Sequence, residues 1–276
     1  MTLTLFTITN IQHELTSFSL QKTLASTPIT TTIVVSDQPL TLAQPHTQYP
    51  IPENFGMLEY CDFCLKSMHS YINTDFVLIA HYDGIATNPK AWTDEYFEYD
   101  YVGSLSHPEF PPMKGSLQAS GHYQEFKNAD WFTCGGGLSL RSRRLLKILA
   151  EDPQIKTRNY TPNHNTPFIS EDAVITLLNQ NYLETAYNIR FAPAHISLKF
   201  CAEVLTGYTS ALGFHGWYNA PLYLSEQECL FYFEHLEKID YNKNTMQGQL
   251  LKFHTMMKGY LHLRDYLISQ DKWLLY

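Results

Sequence analysis

The sequence predicts an α/β protein: a mixed, mostly parallel sheet flanked by helices, with a helical extension at the C-terminus. Three observations carry this. Residues 3–9 alternate and are rich in Thr, Leu, Phe and Ile, residues 14–25 read as a helix, and residues 30–35 are β-branched. Strand, helix and strand at this spacing form a parallel β-α-β unit. Residues 75–80, DFVLIA, form an unbroken apolar run, which suits a central strand covered on both faces. From Ser225 onward the pattern is mostly helical.

The remaining elements follow in order. Residues 38–52 are polar and Pro-bearing and are expected as a loop. Within 55–72, Leu58, Phe63, Leu65 and Met68 recur at helical spacing. Residues 99–103 suit a short strand. Residues 105–130 are rich in Pro, Gly, Ser and His without a clear period, so a long loop is expected there, and such loops often act as lids. A glycine run within 131–140 leads into a helix over 141–150. Another helix is expected over 171–179, with Ser170 as its N-cap. Residues 198–204 suit a short strand and 213–217 a turn.

Hydrophobic residues make up 44% of the chain and charged residues 17%, which supplies a sizeable core and argues against disorder. The aromatic content, with 19 Tyr and 16 Phe, serves packing first and sugar faces second. A net charge of −8, with no basic cluster beyond Arg141, Arg143, Arg144 and Lys147, argues against a nucleic-acid partner. An acidic protein still takes a nucleotide when a metal ion neutralises its phosphates. Cys61 and Cys64 form a lone C-x-x-C in a helical pattern with no second pair, so reduced thiols are expected rather than a zinc or redox site. No basic segment precedes a long apolar run, and no stretch approaches the roughly 20 apolar residues of a membrane span. A cytoplasmic protein is therefore expected, with peripheral contact at the inner face of a membrane left open and the oligomeric state unassigned.

Ligands in open α/β sheets bind beyond the carboxyl ends of strands. The run 75–80 leads straight into His81-Tyr82-Asp83-Gly84. In an extended segment residues two apart point the same way, so His81 and Asp83 are candidates to grip one ion. A carboxylate oxygen is the donor that Mg2+ or Mn2+ prefers. The same residues also suit a strand-end turn, with Asp83-Gly84 chosen for turn geometry. The stretch CGGGLSLR, Cys134 to Arg141, carries Gly135, Gly136 and Gly137, whose amides suit a phosphate or an acceptor sugar, or else a loop before a helix. Glu171 and Asp172 open a helix. They complement its dipole, and one of them is also placed to act as a general base. His215 stands between glycines in GFHGW, either as a structural hydrogen-bonder or as a group converging on Asp83.

Taken together, these residues resemble a family of GT-A-type glycosyltransferases known by sequence. The family's Gln-x-Asp-Gly-like motif is similar to His81–Gly84, written here HYDG, and its Asn-Pro-x-x-Trp segment to Asn88, Pro89 and Trp92. Its Tyr-Asp-Tyr-Ile-Gly-like segment resembles residues 99–103, and its Gly-Asn-Gly-Gly-Phe-Ser-Leu-Arg-Ser stretch resembles residues 134–142. Its acidic pair resembles Glu171-Asp172, and its Phe-Gly-Phe-His-Gly-like end resembles residues 212–216. The resemblance runs from about Thr2 to Gly216. His81 stands where Gln is common, and Gly135 where Asn is common.

The resemblance implies a GT-A-like, Rossmann-like catalytic domain over 1–222 that binds a nucleotide-sugar, followed by a helical extension over 223–276. It implies transfer of a sugar, with a UDP-sugar first among donors, to a saccharide or glycan acceptor. Asp83 would be the central ligand of Mn2+ or Mg2+, with His81 and His215 as partners. Thr7, Thr9, Asp37, Gly136 and Gly137 would contact the donor, and Glu171 or Asp172 would serve as base. Two rival readings use the same residues. His81, Asp83 and His215 match the two-His-one-carboxylate pattern of non-haem Fe(II) oxygenases, although those sit on a β roll. The altered motif positions also suit a catalytically silent nucleotide- or sugar-binding module.

Overall fold

The computed structural model describes residues 1–52, 54–119, 121–155, 170–203, 210–236 and 246–269. Its strands are β1 (Leu3–Thr9), β2 (Thr31–Ser36), β3 (Thr47–Tyr49), β4 (Phe76–Ala80), β5 (Gly84–Ala86), β6 (Tyr101–Val102), β7 (Ser104–Ser106), β8 (Phe132–Cys134), β9 (Leu138–Ser142), β10 (Cys201–Ala202) and β11 (Gly213–His215). The main sheet runs β3-β2-β1-β4-β9-β6. β1 pairs parallel with both β2 and β4, β2 pairs parallel with β3, and β9 runs antiparallel between β4 and β6. The architecture is thus a mixed α/β fold around a mainly parallel sheet.

The β-α-β unit expected at the N-terminus is present, with the helix His13–Ser26 joining β1 to β2. β1 and β4 are buried along their whole length, so both faces need apolar side chains. Leu3, Leu5 and Leu78 enter the core on one face with Val34, Leu138 and Phe200. Phe6, Ile8, Val77 and Ile79 enter the other face, against Cys64, Met68 and Leu146. From β1 the chain passes to β2 on one side, and β4 later docks on the other. The strand order therefore reverses between β1 and β4, and a crevice opens at their carboxyl ends.

Several elements differ from expectation. Residues 38–52 contain the short strand β3. The helix expected over 55–72 changes its hydrogen-bond ladder twice, from α (Met57–Asp62) to π (Phe63–Ser67) to 3₁₀ (Met68–Ser70). The expected loop over 105–130 carries two short surface helices, Pro111–Ala119 and Tyr123–Phe126, too short to show a clear apolar period. The helix expected from residue 141 begins at Arg143, because Leu138, Leu140 and their neighbours alternate as β9 and keep Arg141 in the sheet. The segment 171–179 starts with one α turn, Glu171–Ala173, and becomes π-helical over Val174–Leu178. Ser170 holds the N-cap position without a side-chain cap bond. The first three residues of the strand expected at 198–204 belong to the helix Ala194–Phe200, leaving only β10 as strand, and Val204 lies outside the described residues. The expected turn at 213–217 opens with the strand β11.

The C-terminal helices Glu226–His235, Met246–Lys258 and Leu261–Ser269 share one apolar cluster with Leu15, Ile85 and Phe214. They therefore brace β5 and β11 from behind. Among the described residues no helix is long and apolar enough to cross a membrane.

Candidate functional site

The carboxyl ends of β1 and β4 open into a cleft of about 340 Å³, lined by Thr7, Thr9, Phe55, Tyr60, His81 and Tyr82 among others. Its lining is mostly apolar with a few polar groups, as small-molecule sites are. Thr7 and Thr16 line this cleft, and their hydroxyls are buried with no hydrogen-bond partner among the described residues. Thr9 is different, because its Oγ1 donates to the Ile11 carbonyl at 2.5 Å. Asp37 is not among the lining residues, and its carboxylate holds His13 Nε2 at 2.7 Å.

Residues 81–84 form a turn, closed by the Gly84 N–H donating to the His81 carbonyl at 3.1 Å. The chain is not extended there, so the two-residue alternation that would align His81 with Asp83 does not apply. His81 lines the cleft, and its Nε2 lies 2.8 Å from the Tyr60 hydroxyl. Burial, reinforced by the charges of His215 and Arg141, pushes the His81 pKa down to about 3. Burial foremost also raises the Tyr60 pKa, so a neutral phenol and a neutral imidazole share this bond, with the donor set by the His81 tautomer.

Asp83 faces His215 instead. β11 pairs antiparallel with β5 so that His215 stands opposite Gly84, and the Gly216 N–H donates to the Asp83 carbonyl at 2.9 Å. This register brings the Asp83 carboxylate 3.8 Å from His215 Nε2, with their side chains 16% and 21% exposed. Behind the imidazole, Glu203 Oε1 lies 3.0 Å from Nδ1 in a close ion pair that lacks the alignment of a good hydrogen bond. The other Glu203 oxygen accepts from Ser104 Oγ. Burial alone would lower the His215 pKa, but Glu203 and then Asp83 outweigh it and raise the value to about 10. Burial raises the Asp83 pKa, Glu203 adds to this, and His215 opposes it. Burial would raise the Glu203 pKa too, yet His215 and the Ser104 bond hold it below the usual value.

The glycine run lies against these groups. A methyl on Gly137 would come 2.2 Å from His215 Nε2, and one on Gly136 would come 2.5 Å from Glu171 Oε1. The Gly136 N–H donates to Asp172 Oδ2 at 2.9 Å, and the Gly137 carbonyl accepts from the His81 N–H at 2.9 Å. The run therefore packs against protein side chains and ties the acidic pair to the turn after β4. That pair divides. Glu171 is only 3% exposed and accepts from the fully buried Arg141 Nη2 at 2.8 Å, whereas Asp172 stays half-buried. Arg141 also lies over the Tyr101 ring at 5.2 Å.

A family model covering residues 56–215 matches this chain, and that span holds Tyr60, Asp83, the glycine run, the acidic pair, Glu203 and His215. The chain belongs to the DUF5672 family. DUF5672 is described as a family of proteins of unknown function, so membership assigns no chemistry. No curated protein matches the chain. Among solved structures, a mannosyltransferase, PcManGT from Pyrobaculum calidifontis in complex with GDP-Man and Mn2+, is similar at 13% identity over 98% of this chain and 84% of that one, with a TM-score of 0.35. That likeness is too distant to carry an activity across.

Of the residues singled out from this DUF5672 sequence, the structure brings together Asp83 and His215, with Asp172 close enough for its charge to bear on His215. Thr7, Thr9 and His81 meet in the adjacent cleft. His81 does not join the metal-ligand candidates as expected, since Tyr60 holds its Nε2 and no ion pair links it to Asp83. The two-His-one-carboxylate triad is accordingly not assembled. Among the described residues no three His, Cys, Asp or Glu side chains converge as a metal cage. Asp83 and His215 suit a cation as a pair, since their 3.8 Å separation falls within two metal–ligand bonds of about 2.1 Å each. Mg2+-type ions are commonly held by one or two carboxylates, with substrate phosphates and water completing the shell. Glu203, Tyr60 and Arg141 were not signalled as site residues. Only Arg141 left a trace, as the polar member of an alternating apolar run.

Proposed function

We propose that this protein is a metal-dependent glycosyltransferase of the GT-A type, moving a sugar from a nucleotide donor to a saccharide or glycan acceptor. The observation that carries the reading is Asp83, at the tip of the central strand β4, facing His215 beside a cleft at the point where the strand order reverses. In this reading residues 1–222 are the catalytic portion and 223–276 a helical buttress.

The donor's nucleotide lies in the cleft, against the Thr7 and Thr9 end of β1 and the rings of Tyr60 and Tyr82. A UDP-sugar is the first class to test. Asp83 and His215, the latter on giving up its Nε2 proton, would hold Mn2+ or Mg2+, and the ion would supply Lewis-acid stabilisation of the departing diphosphate. Asp172, steadied by the Gly136 N–H, accepts the proton of the acceptor hydroxyl. Glu171 neutralises the buried Arg141 and so fixes the helical turn that presents Asp172. Gly136 and Gly137 act by making room for Glu171 and His215 rather than by touching the donor.

The test is Mn2+-dependent binding and turnover of UDP- and GDP-sugars by the wild-type protein and Asp83→Ala. The variant is expected to keep its fold and lose Mn2+-dependent donor binding. Normal donor binding by Asp83→Ala would overturn the metal assignment. Binding without turnover across a panel of acceptors would make the protein a nucleotide-sugar-binding module instead.

A further inference from the structure

Glu203 follows β10 and belongs to none of the sequence motifs, yet it is built into the site more thoroughly than any residue beside it. One carboxylate oxygen receives Ser104 Oγ and the other lies 3.0 Å from His215 Nδ1. Its main-chain carbonyl accepts from Asn219 Nδ2 at 3.0 Å and from the Tyr218 hydroxyl at 3.3 Å. The same Asn219 amide donates to the His215 carbonyl at 2.8 Å, so one side chain ties the two backbones together. Gly135 completes the seat. Its φ of +72° lies in the left-handed region, and a methyl there would come 2.1 Å from Ser104 Oγ and 2.8 Å from Glu203 Oε2.

We infer that Glu203 is a positioning residue for the cation site, holding His215 with Nδ1 turned inward and Nε2 offered on the side of Asp83. The inference rests on the metal-dependent reading above and extends it to a residue that touches neither ion nor substrate. Histidines that bind metals usually donate their other ring N–H to a carboxylate or carbonyl, which fixes the tautomer and the ring plane. Here the carboxylate is itself anchored by Ser104, and the ring fills the space left by the missing side chain of Gly137. An Nδ1-side partner that merely neutralised a buried charge would not need this anchoring.

The experiment titrates Mn2+ alone into the wild-type protein, Glu203→Ala, Glu203→Gln and Asp83→Ala. Free Mn2+ is read by electron paramagnetic resonance, and the imidazole nitrogen coupling of the bound ion by its pulsed form, with thermal melts in parallel. Wild type is expected to bind with nitrogen coupling. Glu203→Ala should bind about 10- to 100-fold more weakly and lose that coupling. Glu203→Gln, whose amide oxygen keeps an acceptor beside Nδ1 but removes the charge, should recover part of both. Wild-type affinity and coupling in Glu203→Ala, with Mn2+ lost in Asp83→Ala, would overturn the role of Glu203 and leave the metal site standing. Affinity that falls only in step with melting temperature, with coupling intact in the bound fraction, would also overturn it. A wild-type protein that binds Mn2+ neither alone nor with UDP present would overturn both readings. Where Glu203→Ala does not fold, Glu203→Asp keeps the charge, withdraws it from Nδ1, and must show the same loss of coupling.

Discussion

The His215 imidazole fills the space that Gly137 leaves empty: a methyl there would lie 2.2 Å from Nε2. The other two glycines of the run do the same for Glu171 and for the Ser104–Glu203 pair. Three consecutive residues without side chains thus give three polar groups their places.

Gly137→Ala is therefore expected to displace His215 rather than to unfold the chain, since a ring at a strand end swings more easily than backbone moves. Mn2+ affinity should fall while the melting temperature changes little. Gly135→Ala should lower Mn2+ affinity as well, by pressing on Ser104 and Glu203, but should also cost stability. Its positive φ and its contact with Ser104 add strain of about 1–3 kcal/mol, visible as a lower urea midpoint. Equal effects of the two variants on both readouts would contradict this division.

The buried pair of Arg141 and Glu171 separates structure from chemistry. Removing one member leaves an uncompensated charge in the core, so Arg141→Met should cost about 3–5 kcal/mol in urea unfolding. The double variant Arg141→Met/Glu171→Leu should recover much of that loss, because an apolar pair needs no partner. Recovery of stability without recovery of turnover would show that the pair matters for how it holds Asp172.

Much of the fold was legible because its signals are local. The β-branched run of β2 and the apolar run of β4 needed only neighbours in sequence, and the helix His13–Ser26 between β1 and β2 followed from their spacing. The site was legible only in part. Asp83 was visible as a carboxylate at a strand end, but its meeting with His215 depends on the three-residue strands β5 and β11, too short to show a period. Glu203 was invisible for the same reason, since it follows a two-residue strand and gains its role only through packing. His81 was misplaced because an extended chain was assumed where Gly84 closes a turn. Arg141 was assigned to a helix although Leu138 and Leu140 alternate with Ser139 and Arg141, which is the period of a strand.

Asp172→Asn provides the test of the base. The Asn carbonyl still accepts from the Gly136 N–H, so local geometry should hold while the proton acceptor is lost. Turnover is expected to drop by about 10²–10⁴-fold with donor affinity unchanged. Weaker donor binding would move Asp172 from the acceptor side to the donor side.

The amino ends of the central strands, at the opposite end of the sheet from the site, have their own pH dependence. Asp75 accepts from the Thr2 N–H at 2.8 Å and the Thr2 hydroxyl at 3.0 Å, tying the start of β1 to the start of β4. These bonds, the backbone one first, hold its pKa below the usual 3.8. A depressed carboxylate pKa contributes stability that is present above the unfolded value and lost as pH falls through the folded one. The protection factor of the Leu3 amide, its exchange corrected for the intrinsic pH dependence, should therefore fall below about pH 4 in the wild type. Asp75→Asn should exchange faster already at neutral pH and show less of this acid dependence. An unchanged acid limb in the variant would assign the loosening to another group.

Thr7 offers a test of the cleft that stability and binding answer in opposite directions. Its hydroxyl is buried at the carboxyl end of β1 and has no partner among the described residues. An unpaired buried polar group costs free energy, so Thr7→Val, of nearly the same shape, should leave the urea midpoint unchanged or raise it. If the nucleotide supplies the missing partner, the same substitution weakens donor binding by the worth of about one hydrogen bond, roughly 0.5–1.5 kcal/mol, or a few-fold to about tenfold in Kd. Calorimetric titration of UDP with Mn2+ into both proteins reads the second quantity. A more stable variant that binds UDP as tightly as wild type would mean that the hydroxyl faces the cleft without serving it, and the nucleotide would then have to lie elsewhere along the crevice.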